Sequence, residues 1–180
     1  MERSLNRNNV EAAISKYEAS IEEIGETISD LRGVSLFQSL KRRPIGVGPY
    51  PHVTLFEAAN RIMTDLVILK GVRFLLHSNA LPFDEYIVEY GNEDANDHDI
   101  SAEKSGQRLI AEAFNVAPSF FQGKKNAMRK KLRTSSVRAD YMIILANSDA
   151  VPQDYAPKYL AKEYFVFVDL ESGKGTVMPN

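Results

Sequence analysis

Leu109-Ile-Ala-Glu-Ala-Phe-Asn-Val-Ala-Pro-Ser-Phe-Phe-Gln-Gly-Lys-Lys125 changes character once, at Pro118. The alanines and Glu112 suit a helix as well as a strand, so composition alone leaves residues 109–117 open. Proline settles the boundary. It favours the first turn of a helix, and the residue before it avoids helical geometry. The reading is a strand over 109–117 and a helix over 118–132. Residues 139–146, Ala-Asp-Tyr-Met-Ile-Ile-Leu-Ala, follow as a nearly unbroken apolar run, the mark of a buried central strand. Strand, helix and buried strand point to an α/β domain.

Upstream, the chain opens on an amphipathic helix over residues 10–32, with Asn8 as cap, Glu11 three residues on, and Gly33 as its stop. Its apolar positions Val10, Ile14, Tyr17, Ile21, Ile24, Ile28 and Leu31 step by four and three, a heptad seam. Packing on the chain's own core is one use of such a seam, and a dimer contact is the other. Residues 1–33 are therefore expected to be an N-terminal helical element, and 34–180 the α/β domain. Residues 39–52, broken by prolines and glycines, read as a loop carrying Lys41, Arg42 and Arg43. Thr54 and Glu57 form a capping box for a helix over 55–76, with Phe56, Ala59, Met63, Leu66 and Leu69 at helical spacing.

A turn at 79–82 then leads to a strand over 83–91, a polar loop at 92–97, and a very short strand at 98–100. Beyond 146 the expectations are a short helix at 155–163, a strand over 164–170 and an edge strand in the tail.

Formal net charge is −2, so whole-chain charge says nothing of nucleic acid. Its distribution says more. Eight acids and no base lie between Asp84 and Glu103, whereas seven bases and no acid lie between Lys124 and Arg138. An acidic block beside a basic one suits a metal site next to a phosphate track. With no cysteine, the chain has no disulfide framework, thiolate metal site or cysteine nucleophile, in keeping with a reducing cytoplasm. The start lacks the apolar core of a signal peptide and no run approaches a membrane span, so a cytoplasmic protein without a membrane partner is expected. Nucleotide-binding glycine loops and an H-E-x-x-H zinc motif are absent, and His52, His77 and His98 lack metal-ligand spacing.

From Thr54 to Ala146 the order is helix, strand, short strand, strand, helix, strand, with acids at the ends of the second and third strands. This order resembles the core of the PD-(D/E)XK, or restriction-endonuclease-like, nucleases. The resemblance rests on Asp99 in Asn96-Asp-His-Asp-Ile100, Glu112 in Ile110-Ala-Glu-Ala-Phe114, and the Lys124-Lys125 pair. It implies a mixed sheet flanked by helices, and a Mg²⁺ ion (Mn²⁺ substituting) held by Asp99 and Glu112. The expected activity is hydrolysis of DNA phosphodiester bonds, of restriction or phage-defence type. Such hydrolysis needs an activated water and neutralised charge at phosphorus, which a carboxylate-held divalent ion supplies.

The family's strand lysine, two residues after the second acid, is replaced here by Phe114. Lys124 or Lys125 from the following helix is expected to supply the charge. Glu57 matches the glutamate that relatives present from the preceding helix, His98 beside Asp99 is a candidate assisting group, and Glu89 on the first strand is either an extra ligand or a surface residue. DNA would be gripped by Lys41, Arg42, Arg43, Arg129, Lys130 and Arg133, and a homodimer through the N-terminal helix would suit two-strand cutting. The alternatives are an inactive nuclease fold acting as a DNA-binding or regulatory subunit, and a protein-interaction factor built on the heptad helix.

Overall fold

The computed structural model of the chain describes residues 1–91, 97–158 and 160–179. The expected polar loop at 92–97 therefore lies almost wholly outside the described residues, with Glu93 and Asp94. The described elements are, in order, β1 (Ser4–Asn6), α1 (Val10–Ile28), α2 (Gly33–Lys41), α3 (Leu55–Ser78), β2 (Glu85–Val88), β3 (Ile100–Lys104), β4 (Gln107–Phe114), α4 (Pro118–Thr134), β5 (Tyr141–Asn147), β6 (Glu163–Val168) and β7 (Gly175–Met178). The strands form one mixed sheet in the order 1-2-3-4-5-6-7. β4, β5 and β6 run parallel, and every other neighbouring pair is antiparallel.

The parallel pair β4–β5 is joined through α4, as the break at Pro118 requires, and Pro118 occupies the first turn of α4. Alternate residues divide the core between the two faces. Ala111, Ala113, Ile143, Leu145, Val166 and Val168 pack under α1 and α3. Ile110, Phe114, Ile144, Ala146, Phe165 and Phe167 pack under Phe121 and Leu132 of α4. β5 contributes to both sides and is central, which accounts for its unbroken apolar run.

Several sequence expectations are corrected. The first helix ends at Ile28, and Gly33, expected as its stop, instead opens α2, whose last residues 39–41 fall in the stretch read as loop. Asn9, not Asn8, stands at the N-cap of α1, and its side chain does not cap the helix. It instead accepts from Asn6 N and donates to Ser4 O, tying α1 to β1. The seam of α1 faces inward, with Val10, Ile14, Tyr17 and Ile24 buried in the chain's own core. A contact between copies through those positions is thereby closed off. On α3 the buried stripe is Ala58, Ile62, Asp65, Leu69, Val72 and Leu76, while Phe56 and Met63, expected inside, are exposed. The very short strand at 98–100 is instead the five-residue β3. None of the described residues of 155–162 is helical, and Glu163 already belongs to β6. No helix among the described residues is long and apolar enough to cross a membrane.

One buried carboxylate links the layers. Asp65 of α3, 1% exposed, accepts from Tyr17 Oη of α1 at 2.6 Å, from Tyr50 Oη and from Gly91 N at 3.1 Å. Gly91 has φ of +69°, and a Cβ there would meet the Tyr50 ring, so glycine is required on both counts. Asp65→Ala would leave two tyrosine hydroxyls without their acceptor. Denaturant unfolding should show a loss of about 2–4 kcal/mol. The exposed change Glu22→Ala should cost no more than about 0.5 kcal/mol.

Candidate active site

β3 and β4 are joined by a two-residue turn, Ser105 and Gly106, both with positive φ. The turn fixes Lys104 opposite Gln107 and Ile100 opposite Ala111, so one step further Asp99 stands across from Glu112. On the other side, Val88 pairs with Ile100 and Glu89 N donates to Asp99 O at 2.9 Å. Glu89, Asp99 and Glu112 thus occupy one cross-strand row over three strands. The two acids singled out from sequence are neighbours.

The row borders a cavity of about 530 Å³. Its lining comes from α3 (Glu57, Asn60, Arg61, Thr64, Asp65), from the carboxyl end of β4 (Ala113, Phe114 and the residues after it) and from α4 (Lys124, Met128, Lys131). Helices from opposite faces of the sheet therefore form its two walls. Comparison with family models, with curated proteins and with solved structures finds no match for this chain. Its chemistry is read from this geometry.

Glu112 is 1% exposed, and both of its oxygens are engaged. Oε1 meets His98 Nδ1 at 2.7 Å, and Oε2 accepts from Lys131 Nζ at 2.8 Å. His98 Nε2 in turn meets Ser135 Oγ at 2.8 Å, just past the end of α4. With Glu112 ionised, Nδ1 carries the proton and donates. The ring then holds the carboxylate in one orientation. Asp99 Oδ2 accepts from Ala113 N at 2.7 Å. Burial first, then the charge of Glu112, pushes the Asp99 carboxyl up to about 6, with Glu89 adding to the effect. The Ala113 N–H and the Lys131 ammonium pull the other way. A carboxylate held beside others away from water is a site short of positive charge.

The remaining sequence candidates separate. Glu57 lines the cavity, with its backbone N–H capped by Thr54 and its carboxylate on Arg61 at 2.5 Å. Lys124 lines the cavity, but Lys125 does not. Lys125 turns to the other side of α4, where its ammonium lies 4.9 Å from the Tyr155 ring centroid and 2.9 Å from Gln122 Oε1. Lys131, not considered for this role in the sequence, is the ammonium that reaches Glu112. Its signal was a position seven residues, two helical turns, beyond Lys124 on the same face.

Arg129 and Arg133, expected to grip DNA, both clasp the buried Glu163, Arg133 at 2.6 Å. They hold α4 against β6, and Glu163 is kept below the usual carboxylate range by their hydrogen bonds against the effect of burial. Arg42 and Lys130 are exposed, Arg43 donates to Gln38, and Lys41 stacks over Phe56.

Among the described residues, no three His, Asp or Glu side chains converge into a metal cage. Magnesium does not demand one, since it commonly takes one or two carboxylates and keeps several waters. Buried carboxylate oxygens facing a polar cavity are the donor chemistry such an ion prefers, and each retains an acceptor lone pair beyond its present bond.

The perturbed Asp99 has a consequence for stability. Its folded value near 6 lies above the ordinary carboxylate value near 4, so between those limits the folded state binds more protons and stability falls as pH rises. Asp99→Asn keeps an acceptor for Ala113 N and removes the repulsion. In metal-free buffer the variant should be more stable than the parent by about 1–2 kcal/mol above pH 6, with the gain fading toward pH 4. Thermal unfolding across that range measures it.

Proposed function

We propose that the chain is a metal-dependent endodeoxyribonuclease of the PD-(D/E)XK type, built on a restriction-endonuclease-like core. The observation that carries this reading is the pairing of Asp99 with Glu112 in register at the carboxyl end of β4, with the ammonium of Lys131 on Glu112. The element order α3, β2, β3, β4, α4, β5 agrees with the resemblance drawn from sequence.

In this reading Asp99 and Glu112 hold Mg²⁺, or Mn²⁺ in its place. Once bound, the ion supplies a Lewis acid at phosphorus and a water acidic enough to attack near neutral pH. His98 and Ser135 keep Glu112 aimed at the ion. Lys131, hydrogen-bonded to Glu112, supplies the positive charge that the missing strand lysine would bring, and it balances charge developing on the phosphoryl oxygens. Lys124 contacts the phosphate at the cavity wall. Backbone grip falls to Lys41, Arg42, Arg43 and Lys130, because Arg129 and Arg133 are committed to Glu163. Restriction or phage-defence cleavage is the role that goes with the resemblance. A two-fold assembly for cutting both strands would use a surface other than the buried seam of α1.

Purified protein incubated with DNA and Mg²⁺ or Mn²⁺ should cut it, and EDTA should stop the reaction. Asp99→Ala and Glu112→Ala should each lower the rate by roughly a hundredfold or more, and Lys131→Met by a similar factor. Divalent ion should raise the melting temperature of the parent but not of Asp99→Asn. Cleavage surviving both alanine changes would refute the assignment. No cleavage in any divalent ion would favour a DNA-binding or regulatory subunit.

A further inference from the structure

The lining of the cavity continues outward into exposed aromatic side chains. On α4, Lys124, Met128 and Lys131 line the wall, and one turn before Lys124 on the same face stands Phe120, 68% exposed. On α3, Asn60 and Thr64 line the opposite wall, and one turn before Asn60 stands Phe56, 51% exposed. The Lys41 ammonium lies 3.5 Å from the centroid of the Phe56 ring. One turn before Lys41 on α2 is Phe37, 67% exposed. A single exposed phenylalanine needs no explanation. Here phenylalanine and lysine alternate along a path from Phe37 through Lys41 to Phe56, and from Lys124 to Phe120 beyond the cavity.

We infer that the strand taken into this cavity is unpaired, a single-stranded or splayed segment of DNA whose bases stack on Phe56 and Phe120 while Lys41 and Lys124 meet its phosphates. The inference rests on the reading of the cavity as the hydrolytic site and specifies its substrate. Interleaved aromatic and cationic side chains are how unpaired strands are held, since every base has a π-face and every nucleotide a charge. In an intact duplex the π-faces are covered by neighbouring bases and offer nothing to Phe56 or Phe120.

The depth of the site agrees. Glu112, 1% exposed, is part of the lining of a cavity of about 530 Å³, the capacity of a small-molecule pocket. A lone strand can bend a phosphate into such a space more readily than a duplex can.

The test separates this substrate from the activity itself. Labelled single-stranded, fork-ended and blunt duplex DNA are titrated against the full chain in EDTA, and then incubated with Mn²⁺. Single strands and forks should bind roughly tenfold or more tighter than the blunt duplex. Phe56→Ala and Phe120→Ala should each weaken single-strand binding by roughly tenfold and leave duplex binding unchanged, whereas Phe56→Trp should retain it. Both positions are exposed, so unchanged melting temperatures confirm that the variants fold. Equal affinity for all three DNAs, or alanine variants that bind single strands like the parent, overturns the inference. Cleavage of the blunt duplex as fast as of single strands, in the parent and in both alanine variants, overturns it while leaving the nuclease reading intact. Phenylalanine-dependent strand binding without cleavage supports it and removes the nuclease reading instead.

Discussion

The register between β3 and β4 governs the site. Ser105 and Gly106 both adopt positive φ, so the connection is the tight two-residue turn that suits the twist of paired strands, and it leaves no freedom to slide. A slip of one residue would turn Glu112 from the α4 face to the α3 face and carry Ile110 and Phe114 with it, exchanging the two halves of the core. The apolar alternation of β4 therefore enforces the same alignment that brings Asp99 opposite Glu112. Core packing and carboxylate pairing are two readings of one register.

That alignment works against stability locally. Neighbouring acids, removed from water, resist being charged together, and the raised Asp99 carboxyl expresses it. The surroundings compensate in part, through the ammonium of Lys131, the ring of His98 and the amide of Ala113. Unfavourable local electrostatics held in place by a well-packed fold is a pattern associated with functional sites. Asp65 has the complementary role. It is buried and hydrogen-bonded from Tyr17, Tyr50 and Gly91, and it joins α1, the segment before α3 and the segment after β2 at the cavity wall.

The basic residues divide by the same logic. Arg129 and Arg133 find a buried acceptor in Glu163, and Lys70 finds Leu170 O and Glu18. Those cations hold secondary elements together. Lys124 and Lys131 border the cavity, while Lys41 to Arg43 and Lys130 remain toward solvent, where a phosphate backbone is met. A run of like charge along the chain is thus split by helical periodicity into structural and accessible members.

Much of the fold was legible in local chemistry. Pro118 marked where β4 gives way to α4, the apolar run of β5 announced a strand covered on both faces, and Thr54 with Glu57 announced the start of α3. Asp99 and Glu112 stood out as acids at strand ends. Local pattern misled where partners were remote. The heptad spacing of α1 is satisfied by the sheet and α3 of its own chain. Phe56 and Met63 share a helical stripe with apolar neighbours yet face outward, because a different stripe of α3, running through Ala58, Ile62, Asp65, Leu69, Val72 and Leu76, is the one packed in the core. Residue types and spacing by themselves determined the order of the elements from α3 to β5 and which acids stood out. Only tertiary structure decided that Lys131 rather than Lys125 meets Glu112, that His98 orients it, and that Arg129 and Arg133 belong to Glu163. Those pairings depend on distances between segments far apart in the chain, which no local pattern encodes.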